Sequence, residues 1–163
     1  MNTILHTAPI VGTLQTTLHW PHENATQAWA AALASKLALR NAVIELHGDL
    51  GAGKTTLVRY ILKALGVQGR IKSPSYAVME PHQVDGLAIS HFDFYRFSDP
   101  REWEDAGFRD VFSTPGLKLI EWADNARAAL GVPDLSIHII AHADDSRSVT
   151  LRGNTTTGQA LLA

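Results

Sequence analysis

Lys54 and Thr55 fall near the end of the stretch Gly48-Asp49-Leu50-Gly51-Ala52-Gly53-Lys54-Thr55-Thr56, which satisfies the pattern G-x-x-x-x-G-K-[ST] at every fixed position. These residue types suit a polyanion. Glycines at 48, 51 and 53 allow positive φ and close backbone approach, so successive N–H groups can turn inward on phosphate oxygens. Lys54 supplies a point charge for the β- and γ-phosphates of a triphosphate, and the Thr55 hydroxyl is placed to ligate a Mg2+ ion bridging the same oxygens. An ordinary turn before a helix explains one glycine, but neither three glycines nor the lysine and threonine behind them.

Metal binding and water activation call for carboxylates. Apolar runs carry two acids to strand ends: Asp93 in His91-Phe92-Asp93-Phe94-Tyr95-Arg96, and Glu121 in Leu117-Lys118-Leu119-Ile120-Glu121-Trp122. Spacing does not divide roles between them, and either one alone reads equally well as a solvated strand-end carboxylate. Ser73 and Ser75, in Lys72-Ser73-Pro74-Ser75-Tyr76, fit a switch-like loop sensing a γ-phosphate through a hydroxyl; taken alone they fit common turn chemistry better. Trp122 either covers the site or packs. His47, His82 and His91 lack the spacing of a metal motif and are expected to pack or hydrogen-bond. Glu102, Glu104 and Asp105 read as a solvated helix face.

Positioning these groups requires a strand, a loop and a helix in that order, and the flanks of the glycine stretch provide them. Residues 42–47 alternate apolar and polar as a strand, and 55–65 read as a helix with Leu57, Ile61, Leu62 and Leu65 on one face. Upstream, 1–12 form a variable lead and 13–20 a strand ended by Pro21. A helix then runs from Asn24 to about Leu39, with Asn24 and Gln27 as a capping pair and Trp29, Leu33 and Leu37 on one face. Downstream, strands over 76–81 and 87–96 join at Asp85-Gly86, and a short helix opens at Asp99-Pro100. A brief strand over 116–120 precedes a helical segment over 123–130, and a last hairpin over 135–141 and 148–152 turns at Asp144-Asp145-Ser146. In parallel α/β sheets ligands sit outside the carboxyl ends of strands, so Glu121 is expected in the same crevice as the glycine loop.

With 163 residues, 45% hydrophobic and 18% charged, the chain suits one globular domain, expected over 1–153 with a mobile tail over 154–163. A net charge of −2 gives no overall basic field for unaided binding of nucleic acid. The absence of cysteine excludes disulfides and thiol nucleophiles and fits a reducing, cytoplasmic setting. No run approaches membrane-spanning length, and the start lacks the basic region of a secretion signal. Two rivals to an ATPase are a small-molecule kinase using the same loop, and a nucleotide-sensing interaction module with negligible turnover. A GTP switch is disfavoured because no Asn-Lys-x-Asp segment occurs.

Together the glycine loop, Lys72-Ser73-Pro74-Ser75-Tyr76, His91-Phe92-Asp93-Phe94-Tyr95-Arg96 and Ile120-Glu121-Trp122 resemble the TsaE (formerly YjeE) family, the ATPase partner in bacterial synthesis of threonylcarbamoyladenosine on tRNA. The resemblance covers the chain from Glu23 to the final hairpin. It implies a single-domain P-loop NTPase fold, with a mixed, mostly parallel sheet flanked by helices and carrying antiparallel hairpins. It also implies Mg2+ as cofactor, ATP as substrate, weak hydrolysis alone, TsaD and TsaB as partners, and tRNA reached only through that complex. By the same resemblance, residues 48–56 bind ATP with Lys54 catalytic, Thr55 and Glu121 hold the metal, and Asp93 assists hydrolysis. Ser73, Ser75 and Trp122 belong to the switch-like region, and Glu23, Thr26 and Arg147 match nucleotide-adjacent positions. Ser75 stands where the family has Thr, Phe94 where Leu is common, and Ala123 where Pro is common.

Overall fold

The apolar runs of the sequence meet in one seven-stranded sheet in the computed structural model, which describes residues 10–74 and 77–163. The strands are β1 (Ile10–Trp20), β2 (Val43–His47), β3 (Met79–Val84), β4 (Leu87–Asp93), β5 (Leu117–Glu121), β6 (Leu135–Ala141) and β7 (Arg147–Thr155). The helices are α1 (Glu23–Ala34), α2 (Lys54–Ala64), α3 (Pro100–Asp105), α4 (Phe108–Ser113) and α5 (Thr156–Leu162). Strand order is β1-β7-β6-β2-β5-β4-β3. β6, β2, β5 and β4 are mutually parallel, whereas β7, β1 and β3 add antiparallel edges, as expected of the fold class.

This topology gathers the carboxyl ends of four parallel strands at one edge of the sheet. The loop after β2 lies there, flanked by the ends of β5 and β6. Such a point, where successive connections leave in opposite directions, is where α/β sheets open a crevice.

Side-chain alternation divides the core between the two faces. On one, Ile44, Leu46, Leu119 and Ile137 of the strands pack with Leu33 of α1 and Leu57, Ile61 and Leu62 of α2. On the other, Val43, Phe92 and Ile120 meet Trp103, Phe108 and Phe112 of the short helices. Phe92 stacks on Phe112 at 4.8 Å and meets Phe108 edge-on at 5.3 Å. Phe94 is fully buried in this cluster, 5.2 Å from Phe97, so the larger ring is accommodated by aromatic neighbours.

Several boundaries differ from the sequence reading. α1 ends at Ala34 rather than near Leu39, because the Ser35 hydroxyl turns back to Ala32 O at 2.6 Å and a 3-10 segment, Leu37–Asn41, leads into β2. Leu37 is consequently 82% exposed rather than on the buried face. Asn24 and Gln27 form no capping pair: His22 occupies the N-cap without a side-chain bond. The hairpin at Asp85-Gly86 is present with both residues at positive φ, although β3 starts three positions later than expected. The segment after Trp122 is a 3-10 turn, Ala123–Ala126, not a helix to Leu130.

The tail expected to be mobile over 154–163 is instead built into the sheet: β7 continues through Thr155, and α5 follows at once. Its anchor is Asp134, a fully buried carboxylate just before β6. Asp134 Oδ2 accepts from the Val43 backbone N–H at 2.7 Å, and Oδ1 accepts from Thr155 Oγ1 at 2.5 Å. Thr155 Oγ1 in turn accepts from Gly158 N at 3.0 Å as the helix N-cap. A Cβ on Gly158 would sit 1.7 Å from the Asp134 carbonyl oxygen, so only glycine permits this approach. The start of the strand that feeds the glycine loop therefore leans on the end of the chain. Thr155→Ala should lower the unfolding free energy by about 1–2 kcal/mol, read from urea denaturation, and deletion of 156–163 should lower it further. Unchanged midpoints for both would contradict this anchoring role.

Candidate functional site

Between β2 and α2 the chain makes a tight loop through three glycines at positive φ: Gly48 (152°), Gly51 (84°) and Gly53 (109°). Gly53 is the N-cap of α2 in the left-handed region, and a Cβ on Gly48 would lie 2.6 Å from Ile139 O of β6. The glycines thus answer to backbone geometry and to close strand packing. The loop is closed by Ala52 N donating to Asp49 O at 2.9 Å, and Arg147 of β7 clasps it from the side, Nε donating to Ala52 O at 2.8 Å.

Lys54 is the first residue of α2, and its ammonium donates to Gly48 O and, at 3.3 Å, to Asp49 O. It also lies 4.0 Å from the centroid of the Trp122 ring. Burial pushes the Lys54 ammonium below its ordinary range, opposed by the charges of Glu121, Asp93 and Asp49. Trp122 itself sits at φ 57°, an uncommon left-handed conformation for a bulky residue, and packs against Tyr95 at 4.9 Å. It therefore both packs and covers the loop.

Parallel pairing sets Asp93 opposite Glu121, and Leu46 opposite Glu121 on the other side, bringing both acids to the loop. The structure separates their surroundings, as spacing did not. Thr55 Oγ1 donates to Glu121 Oε1 at 2.7 Å, and His91 Nε2 lies 2.6 Å from Glu121 Oε2. Asp93 stands one strand further out, with Oδ1 accepting from the Tyr95 backbone N–H at 2.9 Å. Burial raises the Asp93 carboxyl above its ordinary value of 3.8 and Glu121 adds to this, whereas the Tyr95 bond, His91 and Lys54 oppose it.

Two cavities meet at the loop. One, about 340 Å³, is lined by residues 50–56, Ser73, Asp93, Tyr95, Glu121, Trp122 and Arg147. The other, about 330 Å³, lies between the loop and the start of α1 and is lined by Trp20, Glu23, Thr26, Thr56, Ile139 and Arg147 among others. Arg147, Ala52, Gly53 and Thr56 border both. The sequence-predicted residues thus separate into two compartments joined across the loop. Ser75 lies outside the described residues. Trp20 and Ile139 carry no motif in the sequence, and Tyr95, although inside the stretch from His91 to Arg96, has no chemistry of its own there that marks it as a site residue. His91, expected from the sequence to pack or hydrogen-bond, does hydrogen-bond, and its position two before Asp93 on one strand face is the signal that places it by the acids.

The segment carrying Trp122 is tied down without the proline common in the resembled family. Asn125 Nδ2 donates to Phe94 O at 2.9 Å, and Arg127 forms a fork on Glu45 of β2 at 3.0 and 2.6 Å. Burial pushes the Glu45 carboxyl up, but bonds from His47 and Arg127 outweigh it and hold the group below its ordinary range. His47 is 3.0 Å from Glu45 and stacks on His138 at 4.6 Å, and so packs and hydrogen-bonds as expected.

A glycine loop between a central parallel strand and a helix, with an acid from the adjacent strand bonded to the first helical turn, defines the P-loop fold class. The profile of "Threonylcarbamoyl adenosine biosynthesis protein TsaE" matches residues 20–149. The chain belongs to the TsaE family. It is 41% identical over 121 residues to tRNA threonylcarbamoyladenosine biosynthesis protein TsaE of Haemophilus influenzae, covering 74% of this chain and 76% of that protein. The corresponding protein of Bacillus subtilis is 34% identical over 134 residues, covering 82% and 84%. The crystal structure of YdiB from Bacillus subtilis superposes with a TM-score of 0.72 at 27% identity, covering 93% of this chain and 94% of that one. Among the described residues, no helix is long and apolar enough to cross a membrane.

Because Asp93 binds its proton more tightly folded than unfolded, stability falls as pH rises from the unfolded value through the raised folded one, and the penalty persists above it. In metal-free buffer, Asp93→Asn should raise the thermal midpoint near pH 7 by a few degrees, with the gain vanishing below the ordinary aspartate value. A variant less stable than wild type at pH 7 would refute this assignment.

Proposed function

We propose that this chain is a cytoplasmic Mg2+-dependent ATPase that serves threonylcarbamoyladenosine synthesis on tRNA by acting on a complex of TsaD and TsaB homologues. The observation that carries this reading is the 2.7 Å bond from Thr55 to Glu121 at the mouth of a loop with three left-handed glycines, in a TsaE-family chain. The donor set suits a hard divalent ion: one hydroxyl and one carboxylate, with phosphate oxygens and water to complete the shell. Thr55 and Glu121 would hold Mg2+, which when bound neutralises phosphate charge.

The protein's own residues divide the remaining tasks. Backbone N–H groups of 51–56 receive the phosphates, aided by the positive end of α2. Lys54 exchanges the Gly48 and Asp49 carbonyls for phosphate oxygens, which takes it off the Trp122 ring. Asp93, half-buried and with a raised proton affinity, orients the attacking water near the γ-phosphate. Glu23, Thr26 and Arg147 border the compartment left for the nucleoside. A lysine held on carbonyls of its own loop accounts for weak turnover until a partner favours the engaged state. With a net charge of −2, tRNA is reached through the complex rather than by this chain alone.

Calorimetry and an ATPase assay with and without purified TsaD and TsaB homologues test this. Stimulated turnover is expected. Lys54→Ala and Thr55→Ala should each weaken Mg-ATP binding about tenfold or more, the loss of one charge-assisted contact. Asp93→Asn should keep binding and lose turnover; equal rates in wild type and Asp93→Asn with partners present would exclude the role given to Asp93.

A further inference from the structure

Both oxygens of the Glu121 carboxylate are engaged: Oε1 accepts from Thr55, and Oε2 lies 2.6 Å from His91 Nε2. Glu121 and His91 are both almost wholly removed from solvent, at 1% and 0% exposure. A carboxylate offers only acceptors, so Nε2 carries the hydrogen in this contact. The other ring nitrogen, Nδ1, is buried with no hydrogen-bond partner among the described residues. Burying an imidazole with one nitrogen unpaired is unfavourable, and the neighbouring same-face position on β4 is filled by Ile89, fully packed in the core. Packing alone therefore does not account for a histidine here. Its polar contact goes to the acid that meets Thr55.

We infer that His91 is a positioning residue, whose Nε2–H holds the Glu121 carboxylate in the orientation that presents Oε1 to Thr55 and so to the divalent ion of an Mg–nucleotide. The inference rests on the nucleotide reading above. The order Thr55, Glu121, His91 runs from the first turn of α2 through β5 to β4, and so ties the metal-facing oxygen to the next strand of the sheet. Without His91, Oε2 would be buried with no donor, and the carboxylate would be free to turn toward the Lys54 ammonium, on which its charge acts. Partners that orient a metal-binding carboxylate in this way typically alter metal affinity by 10–100-fold when removed.

The test is ATP binding to the full chain by calorimetry, across a Mg2+ titration and in EDTA, for wild type, His91→Phe and His91→Gln. His91→Phe should raise the Mg2+ concentration needed for half-maximal tightening of ATP binding by about 10-fold or more while leaving affinity in EDTA unchanged. His91→Gln, whose amide N–H reaches toward the Nε2 position, should recover most of that loss. A wild-type Mg2+ requirement in His91→Phe, or equal losses with and without Mg2+, would overturn the inference. If His91→Phe does not fold, nitrogen NMR on wild type decides. Adding Mg2+ to the ATP-bound protein should shift the His91 Nε2 resonance but not that of His142, which contacts Ser148 outside the site. An unmoved His91 signal overturns the inference. Wild type that ignores ATP in both conditions would instead remove the nucleotide reading beneath it.

Discussion

One hydrogen bond, 2.7 Å from Thr55 to Glu121, joins the two parts of the molecule that sequence keeps 66 positions apart. It exists because β2 and β5 are parallel neighbours with Leu46 facing Glu121. Parallel pairing cannot be made by a hairpin, so the intervening chain must cross over, and α2, β3, β4, α3 and α4 occupy that excursion. The site therefore depends on long-range order. Any change that shifted β5 by one residue would turn Glu121 to the opposite face and take it from Thr55.

The two faces of the sheet hold that register in different ways. Against α1 and α2, aliphatic side chains fill the space beneath the glycine loop. Against the short helices, six buried rings interlock, including Phe92 and Phe94 on either side of Asp93. Asp93, the last residue of β4, alternates with Phe92 before it and so faces the loop while that ring faces the core. The Glu45 and Arg127 ion pair adds a fixed distance between β2 and the turn carrying Trp122. With Glu45 buried but Arg127 exposed, the pair contributes little net stability, because desolvation of the carboxylate and solvent screening of the guanidinium offset the attraction, but its forked geometry restricts where the turn can go.

Lys54 and Trp122 contact each other and the loop directly. The ammonium is satisfied by carbonyls and a ring face, in a site where burial already disfavours its charge. Phosphate competes with those contacts using full negative charge, so ligand capture and release of Trp122 are coupled in the proposed cycle. In the proposed cycle the hydrogen-bonded Glu121 forms the fixed side of the site and Lys54 the adjustable one.

By itself the sequence determined the local features: the strand, loop and helix around Gly48 to Thr56, the Asp85-Gly86 turn and the final hairpin, each written in short-range residue chemistry. It also named Asp93 and Glu121 as the acids at strand ends. Which acid meets Thr55 was settled by folding, because strand order and register are set by packing between distant segments. The same holds for the chain end, whose Thr155 and Gly158 become legible only against the Asp134 carboxylate and carbonyl. His91 shows the limit most clearly: its type and place were visible, but a buried ring acquires a role only from the oxygen that folding sets beside it.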